Sequence, residues 1–308
     1  MRLRQRIIRV IGFQPTNHRL LRRKTSFDGD SLSRYYSAVP SRLPELRALV
    51  RAFPSTLVGY SGGVDSALLA VVLRQELGRA RVLAAVGRSA SYPMAQWAAA
   101  RAVADRFDVP LVELETHELD DPAYLANSPN RCFFCKTELW RRLVPAARAR
   151  GLAVVCDGTN ADDLREHRPG YAAGRAAGVR SPLAEAGLTK ADVRDSARAL
   201  ALPVWDAPAA PCLSSRVAYG LAITPRRLAQ VEQAEAYLRE LGVLGDLRVR
   251  HHGDRARIEV EAAWIPWLTE RLTAIRARLT DLGFAVVDVD SRGYRRGSLL
   301  AGRIADRA

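Results

Sequence analysis

Two groups of residues in the sequence can carry chemistry. The first is Ser61-Gly62-Gly63-Val64-Asp65-Ser66, which follows the apolar run Ser55–Tyr60 and precedes the helical run Ala67–Leu73. Adjacent glycines let backbone N–H groups turn inward and approach an anion that a Cβ would hold off. Ser61 and Ser66 add hydroxyl donors, and the start of the following helix adds a dipole that favours negative charge. Asp65 is out of place beside phosphates unless it caps the helix or supports a magnesium ion. No Gly-Lys-Ser/Thr follows, so this is not a Walker A loop. The alternative is an ordinary Gly-rich turn, which the paired serines and the strand-to-helix context disfavour.

The second group is built on cysteine. The chain has four: Cys132, Cys135, Cys156 and Cys212. Cys132-Phe133-Phe134-Cys135 alone could be half a zinc site, a redox pair or two cluster ligands. A closed zinc site needs four ligands, and there is no second CxxC; nor does the motif open a thioredoxin-like fold. Cys212 lies in Pro211-Cys212-Leu213-Ser214-Ser215-Arg216. Two thiolates from one loop and a third from another would leave one iron of a 4Fe-4S cluster free to hold an exogenous sulfide. Three independent structural or reactive thiols are the alternative. Cys156 ends the apolar run Leu152–Cys156 and reads as a small buried hydrophobe.

The elements that must position these residues follow from periodicity. Leu43, Leu46, Leu49 and Val50 suit an amphipathic helix, and apolar strands are expected at Ser55–Tyr60, Val82–Val86, Pro110–Leu114 and Leu152–Cys156. Ala-rich helical stretches separate them, which predicts an α/β fold with a doubly wound parallel sheet over residues 41–205. Asp206–Pro211 reads as a linker-like turn. Beyond it a smaller α+β domain, 206–308, is expected, with helices Pro225–Leu241 and Ile265–Leu282 and strands Leu247–His251, Arg257–Val260 and Phe284–Val289. Residues 1–40 lack periodicity and read as a basic, disordered extension.

The composition, 48% hydrophobic and 26% charged, is that of a soluble globular chain. No run approaches membrane-span length and no secretory signal is evident, so a cytoplasmic location is expected. The formal charge of +14 suggests nucleic acid, but residues 1–50 hold eleven Lys/Arg against three Asp/Glu. The cations are nearly all arginine, the lysines being Lys24, Lys136 and Lys190. That skew reads as coding bias, so an anionic small-molecule substrate is favoured over a polynucleotide.

The loop resembles that of the PP-loop ATP pyrophosphatases, which implies cleavage of ATP between its α- and β-phosphates and adenylation of a substrate oxygen. Lys190, in Leu188-Thr189-Lys190-Ala191-Asp192, resembles that superfamily's later lysine-bearing helix start, with an exposed lysine as the bland alternative. Longer stretches resemble one branch, the LarE sulfur transferases: Tyr60–Ser66, Asn130–Lys136, Asp157–Asn160, Arg168–Gly170, Arg180–Leu183, Cys212–Arg216 with Tyr219-Gly220, Arg248–Arg250 and Gly293–Gly297. The likeness runs from about residue 43 to about 300.

It implies conversion of pyridinium-3,5-biscarboxylic acid mononucleotide to its thiocarboxylate form, in building the nickel-pincer nucleotide cofactor of lactate racemase. ATP and Mg2+ are the implied cofactors, and a homo-oligomer is implied. The lone sacrificial cysteine of some members matches Cys212; the extra pair of the cluster-bearing members matches Cys132 and Cys135. The resemblance also implies a substrate-phosphate site at Arg248, Arg250, Ser215 and Arg216, the two arginines leaving one face of a predicted strand. A solvated basic strand face is the alternative. Glu235 and Glu259 match acidic positions for a divalent ion, whereas a third such position is Trp267, which departs from the pattern. His167, His251 and His252 are assigned no role.

Carboxylates are poor electrophiles, so adenylation supplies a leaving group that a sulfur nucleophile then displaces. Rival readings are a PP-loop tRNA thiolase with a 4Fe-4S cluster, and an ammonia-using amide ligase. The chain has no spare cysteines for the zinc pairs common in tRNA thiolases, and an ammonia ligase has no need of the three thiols. The sulfur donor is not legible.

Overall fold

The computed structural model describes residues 42–165, 169–209, 211–295 and 297–299. The expected 1–40 extension, His167, Arg168 and Arg296 lie outside the described residues. The described residues form one compact unit, within which two sheets fall on either side of residue 205.

Proline in the first turn starts α1 (Leu43–Arg51), which buries Leu46 and Val50. The chain continues through β1 (Thr56–Gly59), α2 (Val64–Leu77), β2 (Val82–Arg88), α3 (Met94–Arg106) and β3 (Leu111–Glu115). The short α4 (Pro122–Leu125) and the long α5 (Arg131–Ala149) lead to β4 (Val154–Cys156). All pairings in this sheet are parallel, in the order β3-β2-β1-β4. β2 and β3 extend it on one side of β1 and β4 on the other. The strand order therefore reverses between β1 and β4, and the loops leaving their carboxyl ends open a crevice there.

Successive residues of β1 serve opposite faces. Val58 packs with Leu68 and Leu69 of α2 and with Val193 of α8 (Lys190–Ala199). Leu57 packs with Trp140 and Leu143 of α5 and Ala173 of α6 (Pro169–Ala176). Both faces being covered explains why the strands read as continuous apolar runs rather than alternating ones. The short α7 (Pro182–Glu185) follows α6.

The second sheet follows α9 (Pro225–Glu240) and contains β5 (Leu247–His252), β6 (Arg255–Val260) and β7 (Val286–Val289). β5 runs antiparallel to β6, and β7 parallel to it. The single helix expected over 265–282 is interrupted at Arg271 into α10 (Ile265–Glu270) and α11 (Leu272–Asp281). Arg271 leaves helical geometry at φ −101° and lays its guanidinium over the Trp267 ring, 4.3 Å from its centroid. A small cluster of Tyr124, Leu213, Val217, Ile223, Leu228 and Val231 joins the two sheets, with Cys135 packed at its edge. Among the described residues no helix is long and apolar enough to cross a membrane.

His251 sits buried in β5, with Nε2 on Gln230 Oε1 at 3.1 Å and its ring beside Phe284. Burial lowers its pKa to about 4, and Arg227 and His252 push the same way. The unfolded chain, with a histidine near pH 6.5, therefore binds more protons than the folded one between these limits. This stability is complete above about pH 6.5 and is lost as pH falls toward 4, by on the order of 3 kcal/mol. Urea unfolding from pH 7 to 4 should show that slope, and His251→Gln should remove its share.

Candidate active site

β1 delivers the glycine loop to the crevice. Gly62 has φ +73°, a conformation that favours glycine, and a Cβ there would lie 2.5 Å from Ala100 Cβ. Ser66 folds back on the loop: its hydroxyl donates to Gly63 O at 3.1 Å and accepts from Ser61 N at 3.2 Å. The Ser61 carbonyl is held from outside by Tyr92 Oη at 3.0 Å and Gln96 Nε2 at 2.7 Å. The loop is therefore tied both within itself and from outside, at the start of α2, where a helix dipole favours an anion.

Asp65 does not cap α2 with its side chain. It accepts from Asn160 Nδ2 at 2.9 Å and from Lys190 Nζ. The loop after β4 thus closes over the loop after β1. Gly158 makes this approach possible, since a Cβ on it would lie 2.8 Å from Ser66 N and 3.0 Å from Ser66 Cα. Lys190 starts α8, whose N-cap Thr189 forms a capping box with Asp192, so the lysine is aimed by a well-defined helix start.

Cys132 and Cys135 are the second and fifth residues of α5, not in a loop as the sequence suggested. Cys212 precedes the 3-10 turn Leu213–Arg216, and three buried side chains fasten that turn and the residues after it to α4, α5 and the segment between them. Arg131 donates to Asn127 Oδ1 and to Ser214 O, the latter at 2.9 Å. Asn127, held at φ +52°, donates to the carbonyls of Ala218 and Leu221 at 2.8 and 3.0 Å. The Tyr124 hydroxyl pairs with Ser214 Oγ at 2.6 Å.

The thiols feel one another in consequence. Burial raises the Cys135 pKa well above the thiol range, with Cys212, Glu118 and Cys132 adding to it and Lys136 opposing. Burial alone would lower the pKa of Arg131, but the fields of Cys212 and Cys132, then Tyr124 and Tyr219, outweigh it and raise it. Cys156 lies apart, fully buried in β4 against Thr56, its pKa pushed up to about 12 by burial.

The arginines predicted to hold a phosphate are buried beside this turn. Arg216 makes a two-pronged pair with Glu235 at 3.0 and 3.1 Å and donates to Cys212 O at 3.0 Å and Ser215 Oγ at 3.2 Å. Arg250 pairs with Glu259 at 2.8 Å and donates to Ser215 O at 3.1 Å. Arg248 has Asp246 at 3.8 Å and lies over Tyr294. Burial lowers its pKa, and the neighbouring Arg216 lowers it further. An anion arriving here would relieve that repulsion. Glu235 and Glu259, read from the sequence as divalent-ion ligands, are arginine partners, and Glu235 also accepts from Val249 N at 3.0 Å. Among the described residues no group of three or more His, Cys, Asp or Glu side chains is arranged to hold a metal ion.

Arg131, Asn127, Tyr124 and Glu118 are the members that sequence reasoning missed. Arg131 stood inside the Asn130–Lys136 motif and was quoted for its cysteines alone. Nothing local distinguishes the other three.

A glycine phosphate loop after the first strand of a parallel sheet, at the point where strand order reverses, defines the PP-loop nucleotide-binding class. A family profile described as NAD synthase matches residues 46–142. The chain is 41% identical over 261 residues to an uncharacterised protein of Synechocystis, covering 84% of this chain and 97% of that one. It is 35% identical over 254 residues to the pyridinium-3,5-bisthiocarboxylic acid mononucleotide synthase of Lactiplantibacillus plantarum, covering 82% and 92%. An uncharacterised protein of Methanocaldococcus jannaschii is 29% identical over 241 residues, covering 78% and 90%. The chain belongs to the LarE family of PP-loop proteins.

Two substitutions test this site. Gly158→Ala forces backbone atoms apart at the start of α2 and should weaken ATP binding about tenfold, about 1.4 kcal/mol, by titration calorimetry. Glu235→Gln leaves buried Arg216 without its counter-charge and should destabilise the fold by about 3–5 kcal/mol, with or without added magnesium. Magnesium that stabilises the wild type but not the variant would instead make Glu235 a metal ligand.

Proposed function

We propose that this chain is an ATP-dependent sulfur transferase that adenylates a carboxylate and replaces the adenylate with sulfur. The observation that carries the reading is the hydrogen bond of buried Arg131 to Ser214 O at 2.9 Å, which ties the turn after Cys212 to the helix that bears Cys132 and Cys135. Because the Lactiplantibacillus relative is a pyridinium-3,5-bisthiocarboxylic acid mononucleotide synthase, the proposed substrate is the corresponding biscarboxylate. Its thiocarboxylate form would feed nickel-pincer nucleotide assembly.

In this scheme Ser61, Gly62, Gly63 and Ser66 hold the ATP phosphates, with Lys190 and a magnesium ion offsetting charge near Asp65. A carboxylate oxygen of the substrate attacks the α-phosphorus, and pyrophosphate leaves. Sulfur then attacks the acyl carbon and AMP leaves. Arg248, Arg250, Ser215 and Arg216 orient the substrate through its phosphate. Arg216 also holds the Cys212 carbonyl, which couples substrate seating to thiol position.

Sulfur delivery by a 4Fe-4S cluster on Cys132, Cys135 and Cys212 belongs to the same proposal. It rests on donor chemistry: three thiols in one another's field beside a buried cation. The described residues hold no preformed metal arrangement, so the reading does not rest on geometry already in place. When bound, such a cluster would present sulfide at an iron that lacks a protein ligand.

Anaerobic reconstitution with iron and sulfide should give protein that retains both through repeated turnovers, and Cys132→Ala or Cys135→Ala should abolish retention. Intact-mass analysis after turnover decides the alternative. If no iron is held and Cys212 alone loses its sulfur, Cys212 is itself the consumed donor and the cluster reading is wrong.

A further inference from the structure

Glu118 is a costly residue to bury. It is 3% exposed, between β3 and α4, and its Oε2 makes no hydrogen bond among the described residues. Its Oε1 accepts from two hydroxyls, Ser89 Oγ and Ser91 Oγ, the latter at 2.8 Å. A buried carboxylate satisfied on one oxygen alone is unfavourable for the fold, so a role elsewhere is the natural question.

The answer lies in the segment Glu118 holds. Residues 89–96 touch both halves of the proposed reaction. At one end Tyr92 and Gln96 donate to the Ser61 carbonyl, at 3.0 and 2.7 Å, and so set the phosphate loop. At the other, Ser91 O accepts from Leu213 N at 2.8 Å, the residue after Cys212. The Met94 amide, at the start of α3, donates to Glu232 Oε1 of α9 at 2.7 Å, so the second sheet's helix also grips the segment. Ser91 is thus pinned on its hydroxyl by Glu118 and on its carbonyl by the turn that follows Cys212, one residue from the tyrosine that pins the phosphate loop.

We propose that Glu118 is a positioning residue that, through Ser89 and Ser91, fixes Cys212 relative to the phosphate loop, so that occupation of the loop by ATP sets the placement of the thiol. The inference rests on the reading of Ser61–Ser66 as the ATP site and of Cys212 as a sulfur-bearing residue. The physical basis is that a shift of the Ser61 carbonyl moves Tyr92, and Tyr92 is covalently next to Ser91. A segment held by a buried carboxylate transmits such a shift, whereas one freed from it absorbs the shift locally.

Cysteine-resolved alkylation of the full chain under anaerobic conditions, with and without a non-hydrolysable ATP analogue, reads this out. In the wild type the analogue should change the Cys212 alkylation rate at least about fivefold, the lower end of ordinary site-to-site coupling. Glu118→Ala should bind the analogue within about twofold of wild type yet lose the Cys212 response, a separation that general destabilisation would not produce. Glu118→Gln keeps an acceptor for both hydroxyls and should restore the response. Cys156 is an internal reporter: buried in the intact fold, it is alkylated only if a variant opens. If Glu118→Ala exposes it, Ser91→Ala decides by the same criterion. A response retained in the deciding variant, or absent from wild type that binds the analogue, overturns the inference alone. Failure of the wild type to bind the analogue overturns the ATP reading as well.

Discussion

The arrangement of the thiols depends on one buried guanidinium. Arg131 lies at the start of α5, reaches Ser214 O and Asn127 Oδ1, and feels the charges of Cys212 and Cys132. An isolated cation so deeply buried would be prohibitive, and two hydrogen-bond acceptors relieve only part of the cost. Its pKa nonetheless rises, because the fields of Cys212 and Cys132, then Tyr124 and Tyr219, outweigh burial. Without Arg131 the turn after Cys212 would lose its anchor to α5. One side chain therefore fixes where Cys212 lies relative to the helix that bears Cys132 and Cys135.

A second set of buried charges obeys the same economy in reverse. Arg216, Arg248 and Arg250 lie close together, and their mutual repulsion is offset by Glu235, Glu259 and the half-buried Asp246. The pairing leaves the arginines oriented rather than neutralised in function, since a guanidinium has five donors and a carboxylate pair uses only some of them. Arg216 spends others on the carbonyls of Pro211 and Cys212. The two carboxylates therefore serve the fold by aiming arginines, which is a different use of acidic side chains from metal binding.

Which features were legible in the sequence follows from their range. The strand–glycine–helix arrangement around Ser61–Ser66 was legible because its parts are contiguous, and the parallel sheet because both its faces are buried. The helical placement of Cys132 and Cys135 was not legible because a CxxC reads alike in a loop and near a helix's start. The Arg271 break was illegible because apolar periodicity continues through it. The Arg250–Glu259 pair was within reach: Gly253-Asp254 forms a two-residue hairpin turn with Gly253 at φ +80°, and counting outward sets Arg248 opposite Glu259. Arg250 then takes Glu259 diagonally. Tyr124, Asn127 and Glu118 gave no such signal, because their burial is created by segments more than 25 residues away or on the opposite side of the sheet order.

The phosphate loop raises an electrostatic problem that its neighbours resolve. Asp65 places a carboxylate at the mouth of an anion site, where it would repel phosphate. Asn160 and Lys190 both bind it, so its charge is compensated by a neutral donor and a cation that arrive from two other loops. That makes Asp65 an organiser: it draws the loops after β4 and before α8 onto the start of α2. It also holds the Lys190 ammonium at the crevice instead of letting it wander, at 41% side-chain exposure, into solvent. An acidic residue beside a glycine loop is thus explained by packing: a carboxylate shared between an amide and an ammonium draws three segments of the chain to one point.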